Sequence, residues 1–257
     1  MNPPRQPGSL ARGFTLTEMT VVLVIVALML GGLLVPLSAQ IDMRDTNETR
    51  KALAEIREAL LGFVIANGYF PCPALPTTAN TAAGAGIAPA PLAGGCAVTY
   101  GVLPWVTLGV DETDAWGRRY TYVVTQTFTR LPPSLPNGAC TLTATQAGFN
   151  LCANGDMTIR IASGGSDVAN SLPAIVISHG KNGRGAYTPA GTQISTGADV
   201  DERENQLVLN PATGAWKDAV TQNIFVKKTP TPTFDDEVVW IPSTLLFNRM
   251  VGVGKLP

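Results

Sequence analysis

His179 is the only histidine in the chain, so any histidine-dependent chemistry would have to use it. A serine hydrolase needs a nucleophile beside that histidine, and its G-x-S-x-G signature is absent from the sequence. The pair Gly180-Lys181 does not complete a phosphate-binding loop, which needs G-x-x-x-x-G-K-[ST]. The glycines and Asn182 predict a hairpin-like surface turn instead. We therefore expect a protein that is not an enzyme, with carboxylate-only chemistry as the one catalytic alternative left open.

Four acidic residues that lie close together in the sequence form the second candidate functional site: Asp199, Asp201, Glu202 and Glu204. Calcium prefers several oxygen ligands on a flexible loop, so this segment is a candidate calcium site. The spacing does not match an EF-hand, and a solvated acidic turn is the simpler interpretation. No other cofactor is expected.

The chain has four cysteines: Cys72, Cys96, Cys140 and Cys152. None of them forms a C-x-x-C pair with another, which disfavours a structural zinc site. An even number of cysteines in an exported domain predicts two disulfides, for which three connectivities exist. The pairs Cys72–Cys96 and Cys140–Cys152 are favoured because both close local loops. Four free thiols packed as small apolar groups are the alternative.

An apolar run of membrane length follows a short polar N-terminus. Residues 1–13 carry Arg5 and Arg12 and no acid, and the run extends from Met19 to Leu37. About 19 residues of helix can cross a hydrocarbon core about 30 Å thick, and the arginines favour a cytoplasmic N-terminus. An ordinary secretory signal cleaved near residues 37–39 is the alternative.

Glu18 stands at the start of this run and argues against a simple export signal. A carboxylate at membrane depth costs about 2.5–3.5 kcal/mol, so a transient signal is not expected to carry one. Such a residue needs a partner of opposite charge. The alternative is an interfacial carboxylate that extends to the lipid headgroups.

Two segments resemble one known family. Gly13–Glu18 (GFTLTE), followed by the apolar run, resembles the cleavage and methylation signature of type IV prepilins and type II secretion pseudopilins. That signature is a glycine, an aromatic residue, and glutamate at the fifth place after the cut. Asp114–Tyr122 (DAWGRRYTY) is similar to the D-x-W-G-x-x-Y-x-Y segment of major pseudopilins. The resemblance covers Leu10–Ala66 and Asp114–Tyr122. The rest of the chain resembles the family only in its general organisation.

The resemblance implies processing and assembly. A prepilin peptidase would cut between Gly13 and Phe14 and the new N-terminus would be N-methylated. Glu18 would then pair with the Phe14 amine of a neighbouring subunit, neutralising two charges inside a filament. The implied partners are other pilin or pseudopilin subunits, an inner-membrane assembly platform, and membrane lipid before assembly. Major pseudopilins also have a C-terminal calcium site, so the resemblance supports the acidic segment as a candidate calcium site.

The predicted location is the bacterial inner membrane, crossed once, with a cytoplasmic N-terminus and a periplasmic C-terminal domain before assembly into a filament. The predicted organisation is a cleaved leader (1–13), a transmembrane half-helix (14–40), an amphipathic half-helix (41–67) and a globular domain (68–257).

The fold class predicted for the chain is α+β, with the long helix packed on an antiparallel sheet. Leu53, Ile56, Leu60 and Phe63 recur at helical spacing, and Asn67-Gly68 predicts the helix end. A last helix is predicted at Thr244–Val251, capped by Ser243. The predicted strands are Tyr120–Phe128, Met157–Ala162, Ala174–Ser178, Gln206–Leu209, Ile224–Lys227 and Glu237–Ile241.

The favoured function is a structural one: a minor or specialised subunit of a type II secretion pseudopilus or type IV pilus. A filament-tip adhesin or cargo-binding module on the same anchor is the alternative, with Leu75–Gly95 and Gly180–Val200 as contact loops. The formal net charge of −1 and the scattered basic residues exclude nucleic acid as an expected partner.

Overall fold

Helix α1 (Leu16–Asn67) is the longest element of the computed structural model. It ends where Gly68 takes a φ of 82°, a left-handed conformation that glycine adopts without strain, so the predicted end at Asn67-Gly68 is confirmed. The structure describes residues 13–134, 141–207 and 223–256, and the side chains of residues 31–38 lie outside the description. The chain divides into two units, residues 1–44 and 45–257, and α1 contributes residues to both.

The remaining elements belong to the second unit. Its strands, in chain order, are β1 (Tyr100–Val102), β2 (Thr121–Val124), β3 (Met157–Arg160), β4 (Asp167–Leu172), β5 (Ala174–Ser178), β6 (Ile224–Val226) and β7 (Glu237–Ile241). Its helices after α1 are α2 (Trp105–Leu108), α3 (Val200–Glu204) and α4 (Ser243–Gly252), with a 3-10 turn at Gln126–Thr129. The mixture of helices and an antiparallel sheet agrees with the α+β class.

A four-stranded antiparallel sheet in the order β1-β2-β5-β7 separates two hydrophobic cores. Residues alternate between the faces of a strand, and in β5 Val176 joins one core while Ile175 and Ile177 join the other. The first core receives the buried face of α1, including Leu53, Ile56, Leu60 and Val64, together with Leu246 and Met250 of α4. The helix therefore packs on the sheet as predicted, although Phe63 is only half-buried.

The second core lies against a smaller sheet in the order β4-β3-β6. Its β3–β4 pair is antiparallel, but β3 and β6 run parallel, and nothing in the sequence indicated this parallel pair. On the other side of β6, the Asn205 side chain accepts a hydrogen bond from the Val226 N–H and donates one to the Val226 carbonyl. One amide side chain thus satisfies both backbone groups of Val226.

A disulfide joins Cys72 and Cys96, the first of the two predicted pairs. Both cysteines are buried, and the segment that they enclose contains turns and isolated bridges but no helix or strand. Cys152 is also disulfide-bonded, and its predicted partner Cys140 lies outside the described residues. The segment that follows α1 is therefore covalently tied to the start of the sheet.

Several element boundaries differ from the predictions. The predicted strand Tyr120–Phe128 is shortened to β2, because the chain turns into the 3-10 helix after Thr125. Gln206 and Leu207 are not in a strand, and the rest of that predicted strand lies outside the described residues. Ser243 does not cap α4: Pro242 holds the cap position, and the Ser243 hydroxyl donates to the Ser171 carbonyl instead.

Arg119 is a fully buried cation that links loops on the outer side of the sheet. Its Nε donates to Glu112 at 2.8 Å, and its guanidinium carbon lies 4.7 Å from the centre of the Trp105 ring. The guanidinium also donates to three backbone carbonyls from two loops, those of Pro76, Thr78 and Pro189. The planar fork of arginine makes several such hydrogen bonds at once, which a lysine ammonium cannot do.

Arg119→Lys is therefore expected to lower the free energy of unfolding by about 2 kcal/mol, because at least one buried carbonyl loses its donor. Urea unfolding followed by tryptophan fluorescence measures the change. Arg160→Lys is the matched control, since Arg160 pairs with Asp167 where both side chains are partly exposed, and a change below about 1 kcal/mol is expected there. Equal losses in the two variants would contradict the structural role of Arg119.

Candidate functional site

The pairing of β5 with β7 brings two polar segments together at one end of the large sheet. Ser178 and Glu237 are register partners, so the turn that follows β5 lies beside the residues that precede β7. Gly180 has a φ of 57°, and a Cβ at this position would overlap the Asp235 backbone. A glycine is thus required for the turn to approach Asp235 this closely.

Three acidic side chains converge at this place: Glu202 of α3, Asp235 and Asp236. One carboxylate oxygen from each lies within 4.8 Å of the other two. The exposed fraction is 0% for Glu202 and 2% for Asp236, and Asp235 is half-buried. We call these three residues the carboxylate group.

Each member of the carboxylate group has one oxygen in a hydrogen bond. The Glu202 Oε1 accepts from the Asn182 side chain, the Asp235 Oδ2 from the Asn182 N–H, and the Asp236 Oδ2 from the Asn205 side chain. The second oxygen of each carboxylate, Glu202 Oε2, Asp235 Oδ1 and Asp236 Oδ1, is buried without a hydrogen-bond partner among the described residues. Unpaired buried acceptors of this kind are unfavourable, so the group needs protons or a cation.

Burial, more than any neighbouring charge, sets the protonation of the group. Burial raises the pKa of the Asp236 carboxyl well above its usual value, and burial is also the main cause of the raised pKa values of Asp235 and Glu202. His179 lies 3.7 Å from Asp236, but burial, with the nearby charge of Arg118, lowers its pKa to about 4. The imidazole is therefore uncharged near neutral pH, and its Nε2 is engaged with the Thr121 hydroxyl at 2.8 Å. Two arginines lie near the group: Arg118 lowers the pKa of Asp235 and Arg184 that of Glu202, but burial outweighs both effects.

A divalent cation fits the spacing of the carboxylate group. Calcium binds oxygen at about 2.3–2.6 Å, so two oxygens on one ion are at most about 5 Å apart. The observed limit of 4.8 Å satisfies this condition. Carboxylates are hard ligands that suit calcium, magnesium or manganese, and no sulfur is among them. The residues that would hold the ion are Glu202, Asp235 and Asp236.

The structure uses three of the four sequence-predicted calcium ligands elsewhere. Asp199 caps α3 by accepting from the N–H groups of Asp201 and Glu202. Asp201 pairs with Lys228, and Glu204 accepts from the Ser163 hydroxyl. Positions 201 and 204 are three residues apart and so share a helix face, which is directed at Ser163, whereas Glu202 points to another side. Only Glu202 belongs to the carboxylate group.

Sequence reasoning missed Asp235 and Asp236, although a signal existed. Three consecutive acids stand at the start of a predicted strand: Asp235 and Asp236 precede it and Glu237 is its first residue, and buried acids at a strand end are unusual enough to suggest a site. It also expected His179 on a surface turn, and the imidazole is fully buried. The glycine-rich turn itself is present, with Gly180 and Gly183 at positive φ.

The predicted processing residues lie in the first unit. No described residue lies within 4 Å of a Cβ built at Gly13, and Phe14 is 77% exposed. Glu18 accepts hydrogen bonds from the N–H and the hydroxyl of Thr15, while its own N–H donates to the Thr15 hydroxyl. This reciprocal pair is a capping box at the start of α1, a T-x-x-E signal that the sequence prediction overlooked. Glu18 therefore has a local role in addition to any role in assembly.

The segment after Glu18 exposes its apolar side chains. All large hydrophobic side chains described between Met19 and Leu30 are exposed, among them Leu23, Leu28 and Met29 at 67%, 71% and 67%. Within the described residues, no helix is both long enough and apolar enough to cross a membrane.

Comparison with known proteins provides no relative from which a role could be transferred. No known protein family, no curated protein and no solved structure matches the chain.

Proposed function

We propose that the chain is a pilin-like filament subunit, processed by a prepilin peptidase and assembled through α1. The observation that carries this proposal is the exposed apolar helix from Met19 to Leu30, headed by the single carboxylate Glu18. An exposed apolar surface of this extent requires lipid or other apolar helices around it. The sequence run extends to Leu37, and its last part falls on residues 31–38, outside the described side chains.

Glu18 connects the helix to assembly. In the proposed filament, the carboxylate of one subunit pairs with the methylated Phe14 amine of a neighbour, which satisfies two charges away from water. The same proposal assigns the remaining partners: an inner-membrane assembly platform, and lipid before assembly. The globular unit would lie in the periplasm and later on a periplasmic or surface filament.

We also propose that the carboxylate group binds a divalent cation that stabilises the globular unit. Two observations favour this role: one oxygen from each carboxylate lies within 4.8 Å of the other two, and each carboxylate has a buried oxygen without a hydrogen bond among the described residues. It is compatible with a filament subunit, because folded-state cation binding stabilises any exported domain.

Gly13→Val is expected to block removal of the leader, because the peptidase must accommodate the residue before the cut. The fold does not require glycine there, since a Cβ at Gly13 meets no atom within 4 Å. Mass spectrometry of the chain co-expressed with a prepilin peptidase would detect a mature, methylated Phe14 in the wild type and the intact leader in the variant.

Gly62→Ala is the matched control, since a Cβ at Gly62 also meets nothing within 4 Å. Its leader should be removed normally. A wild-type N-terminus near Gln40 would instead show ordinary signal cleavage and would contradict the proposal.

A further inference from the structure

A second polar concavity lies in the globular unit, away from the carboxylate group. It is formed by the second half of α1, the loop of residues 111–115 and Tyr120, and its volume is about 520 Å³. Its lining includes the acids Glu48, Glu55 and Asp111, and the aromatic residue Tyr120. We call this surface the acidic groove.

The charges of the acidic groove are poorly balanced. Lys51 is the one basic residue in its lining, and its Nζ lies 3.7 Å from Glu55 where both side chains are mostly exposed. Glu48 and Asp111 have no ion pair within the parts of the chain that the structure describes. Two carboxylates at the groove are therefore available to an incoming cation.

Tyr120 provides an observation independent of these charges. Its side chain is 1% exposed, and its hydroxyl makes no hydrogen bond to any described residue. Burial, together with the charges of nearby Asp114, Asp111, Glu48 and Glu55, raises the pKa of this hydroxyl, so it stays protonated. A buried neutral hydroxyl in the wall of an acidic groove is a polar group without a partner.

The form of the groove favours an extended organic cation over a metal ion. Within the described residues, the carboxylate group is the only set of three acids whose oxygens approach closely enough for one metal ion. An arginine side chain has several donors in one plane, which can reach separate carboxylates and a phenol oxygen at once. Its alkyl stem can also lie along an apolar wall such as that of Ala52 and the Tyr120 ring.

We propose that the acidic groove binds an arginine side chain of a partner polypeptide, with its guanidinium held by Glu48, Asp111 and the Tyr120 hydroxyl. This inference does not rest on the proposed filament function, because every residue of the groove belongs to the globular unit.

The test uses the full chain in detergent and a blocked Gly-Arg-Gly-Arg-Gly peptide, with binding measured by calorimetry at low salt. The same peptide with citrulline in place of arginine keeps the shape and removes the charge. Glu48→Gln with Asp111→Asn is expected to weaken arginine-peptide binding about tenfold, since two exposed charge contacts are lost. Tyr120→Phe is expected to weaken it about threefold without lowering the melting temperature, because the hydroxyl makes no hydrogen bond to the residues that the structure describes.

Glu58→Gln with Asp167→Asn is the matched control, which removes the same two charges from positions outside the groove. Its binding should equal that of the wild type. Equal binding of the citrulline peptide, equal weakening in the control variant, or equal binding of spermidine would overturn the proposal, since each would show general attraction of cations. Absence of arginine-peptide binding to the wild type would overturn it as well.

Discussion

Glu18→Ala is expected to leave removal of the leader intact and to reduce incorporation of the chain into filaments about a hundredfold. The reason is the proposed pairing of the Glu18 carboxylate with the Phe14 amine of a neighbouring subunit. Removing one partner of a buried ion pair costs about 3–5 kcal/mol, and about 3 kcal/mol corresponds to a hundredfold change in an association constant. Incorporation would be measured by shearing filaments from cells and quantifying the subunit with an antibody.

The capping box provides a second explanation for such a loss, and the chain offers variants that separate the two. Glu18→Gln keeps an acceptor that can bond the Thr15 N–H, as glutamine does in capping boxes, but it removes the charge. Thr15→Ala keeps the charge and removes the hydroxyl that accepts from the Glu18 N–H, at a cost of about 1 kcal/mol to the helix.

If charge pairing governs assembly, Glu18→Gln is as defective as Glu18→Ala, and Thr15→Ala assembles nearly as well as the wild type. Normal incorporation of Glu18→Gln would refute the pairing. A defect in Thr15→Ala as severe as that in Glu18→Ala would assign the effect to the helix start instead.

Calcium is expected to raise the free energy of unfolding by about 4 kcal/mol when its free concentration is a thousand times its dissociation constant. The carboxylate group binds the ion only when Glu202, Asp235 and Asp236 are assembled, so binding favours the folded state. Thermal unfolding of the full chain in detergent, with calcium or with a chelator, measures this difference through the melting temperature.

Two conservative variants distinguish the observed group from the one predicted by sequence. Asp235→Asn removes a charge from the carboxylate group and is expected to abolish most of the calcium effect. The same variant should be more stable than the wild type in chelator, because it relieves repulsion among buried acids. Asp199→Asn removes a charge from the predicted ligand set, and asparagine caps a helix as well as aspartate does.

Asp199→Asn should therefore retain the full calcium effect. Loss of the effect in Asp199→Asn but not in Asp235→Asn would restore the sequence-predicted site. A melting temperature of the wild type that does not respond to calcium, magnesium or manganese would remove the cation proposal altogether.

The elements that the sequence predicted well are those with strong local signals. Strands β5 and β7 match their predicted bounds, since both are continuous runs of mostly apolar, β-branched residues. β4 was missed because its sequence, DVANSL, has little apolar alternation and its side chains are largely exposed. β1 was missed because three residues carry almost no periodic signal.

The candidate site depended on contacts that no local pattern contains. Glu202 and Asp235 are far apart in the sequence, and they meet because β5 and β7 pair and because α3 packs nearby. The sequence prediction grouped acids that are close along the chain, and a short helix then separated them onto different faces. Tyr120 is similar: an aromatic residue in a predicted strand indicates a core position, but only the fold shows that it lines a groove and that its hydroxyl is buried without a hydrogen bond to a described residue.

Asn205 affects the tendency of this protein to aggregate. A strand at the margin of a sheet offers a row of peptide groups that can recruit a foreign strand and start aggregation. In β6 the outward N–H and carbonyl of Val226 are already occupied by the Asn205 amide. An unfolded neighbour would have to displace both hydrogen bonds before it could add to this margin. The Asn205 side chain thus protects this edge strand against pairing with a strand of another molecule. Such protection suits a chain that we propose to assemble through its helices.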